Sequence, residues 1–384
     1  MSKSVSIIFM FAFFSSSCSY LKNVKLLSQG EIKRQNYVQQ LPFEWRKGLI
    51  VLKARLNADT AEREFIFDTG AFNSKIEFDL AEALKLKVVT TKENSTAQGI
   101  SKEIEVVRID SIQLGETYIY NLGAGKLKYS PKSASRCIAA DGIIGANLIK
   151  LAHWKIDYAN QILYFSDAPF QLIGDFYSLP FERPLLSGTP KIELAIEGKE
   201  IENILFDVGY NGGLVLPLKF EKYFQNSKST IYLDHSTSGI YGTNKDSLLV
   251  KKLSVNVGGC IEEIPVEFST LNKALLGNDY LKHFLVFLDY DKKVISLQKQ
   301  SEADISFPSN IMVGIENDST WVVNRSAYKV PLKLGEKLKS INGKKPKDLF
   351  TSYCDYINRI HILFENDSLY IQKMDNTFIS IATQ

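Results

Sequence analysis

The sequence predicts a mainly β protein made of two related lobes followed by a smaller α+β unit. Three features carry this reading. Stretches with apolar residues at alternate positions, which mark strands with one buried face, run through most of the chain, while helical periodicity is sparse. The chain also contains itself twice. Residues 305–384 lie outside that duplication and follow a pattern of their own.

The duplication rests on landmarks in fixed order. Phe65-Ile66-Phe67-Asp68-Thr69-Gly70 recurs as Ile204-Leu205-Phe206-Asp207-Val208-Gly209, so that position 68 maps onto 207, a displacement of 139. Ile143-Ile144-Gly145-Ala146-Asn147-Leu148 recurs as Leu275-Leu276-Gly277-Asn278-Asp279-Tyr280, a displacement of 132. Similar tails follow, His153 to Tyr158 with Ile162 to Phe165, and Leu285 to Tyr290 with Val294 to Leu297. Between the landmarks each copy has a glycine turn, at Gly99-Ile100 and at Gly239-Ile240-Tyr241-Gly242.

Strands are expected over Leu49 to Leu56 and Lys191 to Ile196, and over Val106 to Leu114 and Leu249 to Val257, the latter two ending at Gly115 and Gly258. Helical signal is confined to Asp79 to Leu86 and the turns after Gly145 and Gly277. The lobes are expected at 41–168 and 185–300, with a linker near 168–190 punctuated by Pro169, Pro180, Pro184 and Pro190.

Composition narrows the function. Hydrophobic residues make up 45% and charged residues 23% of 384, a globular balance, and a net charge of +3 gives no sign of a nucleic-acid partner. Lys344-Lys345 is a short basic run among acids and prolines, read as solvated loop charge. After Lys3 an apolar run from Val5 to Phe14 is too short to span a bilayer and reads as the core of a signal peptide, residues 1–17. Ser15-Ser16-Ser17-Cys18 resembles the lipobox of bacterial lipoproteins, which implies lipid attachment at Cys18, a polar tether over 18–40 and an exported protein anchored to the cell envelope on a periplasmic or surface face, in the outer membrane. An ordinary signal peptide with an incidental Cys18 is the other reading. Without Cys18 three cysteines remain, Cys137, Cys260 and Cys354, and the odd number speaks against a disulfide framework. No Cys/His cluster suggests a metal, and no Ser or Cys in a nucleophile elbow accompanies His153 or His235, so neither a metal site nor a Ser/His/Asp triad is expected.

An apolar strand that stops at Asp-Thr-Gly presents a carboxylate at a tight turn, and the glycine admits close approach. One such turn means little. Two related by an internal duplication, folded about a pseudo-twofold axis, would set Asp68 and Asp207 side by side, where they would share a proton and suit general acid–base work on a water.

At these residues the chain resembles the pepsin and retropepsin family of aspartic peptidases, over roughly residues 45–300. Phe67-Asp68-Thr69-Gly70-Ala71 is similar to the retropepsin catalytic turn, and Ile143-Ile144-Gly145 and Leu275-Leu276-Gly277 to the motif packed beneath it. The resemblance implies catalytic roles for Asp68 and Asp207, with Thr69, Gly70, Ala71 and Gly209 supporting the turns. It implies flap contacts to substrate at Gly99, Ile100, Gly239, Tyr241 and Gly242, a peptide or protein substrate held extended in the cleft, and no cofactor or metal. One chain would supply both aspartates, so a monomer is expected. Two departures stand out: Val208 lacks the hydroxyl that would interlock the turns, and Tyr210 is bulky where the family keeps a small residue. They leave open a weak or inactive lipoprotein that retains the fold and binds peptides.

In residues 305–384, Val322-Val323-Asn324 reads as a strand, Ala327 to Leu338 carries a short helical turn and a glycine, and Lys339-Ser340-Ile341-Asn342-Gly343 ends a second strand. Leu369 to Gln372 and Thr377 to Ile381 would close the unit as a hairpin with Asp375-Asn376 at the turn. This arrangement resembles the middle of a PDZ domain from bacterial proteases, which implies either a protein partner or packing on the lobes. Met312-Val313-Gly314-Ile315 is the nearest candidate for its carboxylate-binding loop.

Overall fold

The computed structural model describes residue 26 and residues 29–96, 99–131, 133–184, 187–225, 227–234, 238–240, 242–243, 246–317 and 319–383. The expected signal peptide and Cys18 lie outside the described residues, as do His235 and Tyr241. The chain is mainly β, with two lobes of acid-protease type. Among the described residues no helix is long and apolar enough to cross a membrane.

The two copies fold alike. In the first, Leu49–Leu56 pairs antiparallel with Arg63–Phe67, which runs parallel to Gly142–Ile144 with Phe67 beside Ile144. In the second, Lys191–Ile196 pairs antiparallel with Lys199–Phe206, which runs parallel to Leu275–Leu276 with Phe206 beside Leu276. The repeat displacements become equivalent hydrogen bonds. The Asp68 amide donates to the Ile144 carbonyl at 3.0 Å, and the Asp207 amide to that of Leu276 at 2.9 Å. The Ala146 amide donates to the Ala71 carbonyl at 2.8 Å, and the Asn278 amide to that of Tyr210 at 2.8 Å.

The repeated tails build the sheet that joins the lobes. His153–Asp157 and Phe284–Asp289 pair antiparallel across the pseudo-twofold axis, Trp154 facing Leu288. Ile162–Ser166 and Val294–Lys299 flank them in a six-stranded sheet. One continuous apolar core includes Trp154, Phe165, Val286 and Leu297 from this sheet and Phe67 and Phe206 from the two lobes. Gly115 and Gly258, at φ +60° and +62°, turn the long hairpins of the two lobes, where left-handed backbone favours glycine.

Two linking stretches are more structured than their composition suggests. The expected tether of 18–40 is built into the fold in its later part: Glu31–Ile32 pairs with the strand Thr117–Leu127, Val38–Pro42 caps the interlobe sheet beside Ile162–Ser166, and Tyr37 is buried. Polar side chains on an edge strand read as loop in a sequence. Within the proline-punctuated linker, Tyr177–Pro180 forms the opposite edge of the same sheet, where a proline can sit without breaking a ladder.

The C-terminal residues form a unit with its own core around Trp321, Phe350, Tyr356 and Ile371. Its strands are Ile311–Asn317, Thr320–Ala327, Lys337–Ile341, Ser368–Lys373 and Phe378–Ala382. The last two pair as the expected hairpin, and Asn342 and Gly343 turn the chain with φ of +49° and +73°. The segment Met312 to Ile315 is not a loop: it lies inside a strand paired with Thr320–Ala327, because alternating burial of Ile311 and Val313 holds it in a ladder. A helix at Tyr353–Arg359, capped by the Ser352 side chain, has no counterpart in the sequence reading.

Thr320–Ala327 also pairs with Ser229–Asp234 of the second lobe, so lobe and unit share one sheet. The cysteines require a correction. Cys137 and Cys354 form a disulfide across 217 residues, tying the helix Ala134–Ile138 of the first lobe to the helix Tyr353–Arg359. An odd cysteine count excludes complete pairing and does not exclude one bond. Cys260 is free and buried, packed as a small apolar side chain.

Candidate active site

Both aspartates stand where a short parallel strand pair ends, and the two ends meet at the lobe interface. The turns approach so closely that only glycine fits. A Cβ at Gly70 would lie 2.2 Å from Asp207 Oδ2, and one at Gly209 would lie 2.1 Å from Asp68 Cγ. Neither glycine has a positive φ, so both serve close approach and not an unusual backbone. The two carboxyls act on each other directly across the lobe interface. Asp68 Oδ1 accepts the Ala71 amide at 2.7 Å, and Asp207 Oδ1 accepts the Gly209 amide at 2.9 Å.

Their electrostatics are unequal. Burial raises both carboxyls above the ordinary carboxylate range, while the Ala71 amide and the nearby Lys75 ammonium hold Asp68 down. Burial, and then the charge of Asp68, push Asp207 well above that range. Asp207 therefore keeps the shared proton, and Asp68 is the anion.

The Thr69 hydroxyl donates to the Phe206 carbonyl at 2.6 Å and accepts the Val208 amide at 3.1 Å. Val208 is fully buried in the interlobe core. The interlock between the turns thus survives from one side. Tyr210 does not fill the space between the aspartates. Its ring lies against Gly212 and Gly277, where added Cβ atoms would meet it at 2.3 Å and 2.5 Å, and it packs on a cluster of Leu205, Val215, Leu271 and Leu275. The side chain is accommodated because two glycines make room for it.

The aspartates open into an interlobe cleft of about 1100 Å³. The hairpin of Val88–Ser95 and Ser101–Leu114 overhangs it with Gly99 at the tip, φ +77°, and Asn94, Ser95 and Thr96 on its wall. Ile100 and Ile240 pack on one apolar cluster with Ala71, Ile66 and Ile143. In the second lobe Gly239 and Gly242 pair across a short hairpin between Ser229–Asp234 and Asp246–Val257. Ile305 to Ser309, Met312 and Arg325 also line the cleft.

Several contributors were not singled out in the sequence. Asn278 donates to the Gly48 carbonyl at 2.8 Å and to the Val208 carbonyl at 2.7 Å, stitching the lobes together beneath the turns. In the first lobe Asn147, one place further from the repeated glycine, accepts the Ser74 amide at 2.7 Å. The repeat aligns Asn278 with Ala146, so the duplication does not mark either asparagine. Lys75 and Lys273 line the cleft, and nothing in their local sequence marks them. His153 is buried beside Asp289, 3.4 Å away, on the interlobe sheet and does not line the cleft.

Such a pair, one carboxyl protonated and one ionised at the floor of a long groove, can activate a water by general base action and donate a proton to a developing oxyanion. Comparison with curated proteins gives no match. Residues 52–148, the stretch of the first lobe that carries Asp68 and its supporting glycine motif, match the family of aspartyl proteases.

Proposed function

We propose that the protein is an aspartic endopeptidase of the cell envelope. The observation that carries this reading is the close approach of the Asp68 and Asp207 turns at the base of an interlobe cleft. Asp68 acts as general base on a water held between the carboxyls, the water attacks the scissile carbonyl, and Asp207 donates its proton to the oxygen of that carbonyl. Collapse of the tetrahedral adduct breaks the C–N bond as a proton passes to the leaving amine. Substrate lies extended along the cleft, under Gly99, Ile100 and the hairpin of Gly239 to Gly242, with Tyr241 between those glycines in sequence.

Export and lipid attachment at Cys18 are part of the proposal. The Cys137–Cys354 bond agrees with them, because disulfides persist outside the reducing cytosol. The PDZ-like reading of the C-terminal unit is retained with packing as its role, since a shared sheet and a disulfide attach it to both lobes.

Cleavage of a peptide library between pH 3 and pH 8 tests the reading. Asp68→Asn and Asp207→Asn are each expected to lower kcat by about 100-fold to 10,000-fold. A folded parent that binds peptides in the cleft and cleaves none would instead establish a binding lipoprotein.

A further inference from the structure

A desolvated ammonium group sits beside the aspartates without a carboxylate salt-bridge partner. Lys75 opens the strand Lys75–Glu77, whose middle residue Ile76 is fully buried in the interlobe core. Side chains alternate along a strand, so Lys75 points to the opposite side, into the cleft it lines with Asp68 and Phe72. It is only 5% exposed. Its one described hydrogen bond is to the Asn73 carbonyl at 3.3 Å, and no described carboxylate forms a salt bridge with it. The side-chain oxygen of the same asparagine accepts from Lys92, whose ammonium lies 5.2 Å from the Phe72 ring centroid. Lys273 reaches the same cleft from the facing lobe.

Burial, reinforced by Lys273, lowers the Lys75 ammonium to about 8 despite Asp68, and burial with Lys75 lowers Lys92 to about 7. For Lys75 the attraction of Asp68 only partly offsets the cost of burial. The aspartate pair supplies one negative charge and is committed to holding its own proton. Of the other acids lining the cleft, Asp279 is paired with Lys282, and Glu202 and Glu267 belong to the second lobe.

We propose that Lys75 is a specificity-determining residue that receives the carboxylate of an Asp or Glu side chain next to the scissile bond, with Lys273 assisting from the opposite wall. The proposal rests on the peptidase reading and names its substrate class: peptides acidic at the cleaved position. The substrate carboxylate supplies the salt-bridge partner that Lys75 lacks among the described residues, so an acidic residue is favoured over its neutral isostere in a desolvated site.

The test is a paired set of fluorogenic peptides differing only by Glu against Gln at the residues flanking the cleaved bond, assayed with the full mature chain. The parent is expected to prefer Glu by about tenfold or more in kcat/KM. Lys75→Met is expected to abolish the preference, and Lys273→Gln, at an exposed position, to reduce it about threefold. A parent that cleaves both peptides equally, or a Lys75→Met variant that keeps the Glu/Gln ratio, overturns the proposal and leaves the peptidase reading standing. Should Lys75→Met fail to fold, Lys75→Arg must retain the preference and Lys273→Gln must weaken it, or the proposal falls. Fluorescence anisotropy of the same peptides on the Asp207→Asn variant separates the two readings: a Glu preference in binding with no cleavage by the parent keeps the carboxylate site and removes the peptidase, and equal binding removes the site.

Discussion

The Thr69 hydroxyl and the Val208 amide meet at 3.1 Å, and through this contact a single side chain interlocks both aspartate turns. The same hydroxyl donates to the Phe206 carbonyl at 2.6 Å. Val208, which offers no hydroxyl in return, contributes apolar burial instead. The asymmetry concentrates the interlock on Thr69. Thr69→Val would leave a buried amide and a buried carbonyl unpaired, at about 1–3 kcal/mol each. Denaturant unfolding should show the loss, and kcat should fall with it as the carboxyls lose their spacing. Thr69→Ser should retain most of both.

Stability should depend on the ionisation of the pair in a definite direction. Burial raises both carboxyls in the folded chain, Asp207 most. An unfolded aspartate titrates near 3.9. The protonated pair therefore contributes its full stability below that value, and the contribution is lost as pH rises through the folded values. Unfolding measured from pH 4 to pH 8 should show this decline in the parent and a flatter profile in Asp207→Asn, which should be the more stable protein at the upper end.

Activity should follow a bell with its limbs set by the same groups. It rises as Asp68 ionises and falls as Asp207 gives up its proton. Because both are raised, the optimum should sit at higher pH than ordinary exposed carboxylates would set, which a pH–rate profile of kcat/KM will show. A rate still climbing at pH 9 would remove Asp207 as the acid.

The duplication made much of this legible from sequence alone. Displacements of 139 and 132 correspond to paired backbone hydrogen bonds beneath Asp68 and Asp207, so the repeat marked the strands, the glycines and the meeting of the turns. What it did not reveal depends on contacts between distant residues. The Cys137–Cys354 bond spans 217 positions and links the first lobe to a unit outside the repeat. Tyr210 looked obstructive because the space beside Gly212 and Gly277 exists only once the turns are folded. Lys75 is one polar residue in a polar stretch until Ile76 fixes which way it faces.

The disulfide should act as a tether for the C-terminal unit. It joins the helix Ala134–Ile138, which borders the cleft, to the helix Tyr353–Arg359. Chain entropy assigns a bond closing so long a loop about 2–5 kcal/mol. Protease nicking at the exposed Ser301-Glu302 step should yield two fragments that stay together on a non-reducing gel and separate on a reducing one. Cys354→Ser should speed that nicking.

The buried ion pair of Asp234 and Arg325 offers the sharpest separation of lobe from unit. Asp234 is 1% exposed on a strand of the second lobe, and Arg325 Nη2 reaches its Oδ2 at 2.6 Å from the C-terminal unit. The Arg325 Nε also donates to Oδ2, at 3.1 Å. Arg325→Leu strands a desolvated carboxylate and should cost about 3–5 kcal/mol. Adding Asp234→Asn removes that charge, so the double variant should recover much of the loss although the ion pair is gone. A double variant as unstable as the single would mean that Arg325 acts through packing of its stem. Recovery would show that the single variant's loss is the cost of an uncompensated buried charge, and that the shared sheet of Ser229–Asp234 and Thr320–Ala327 is held by its ladder and packing.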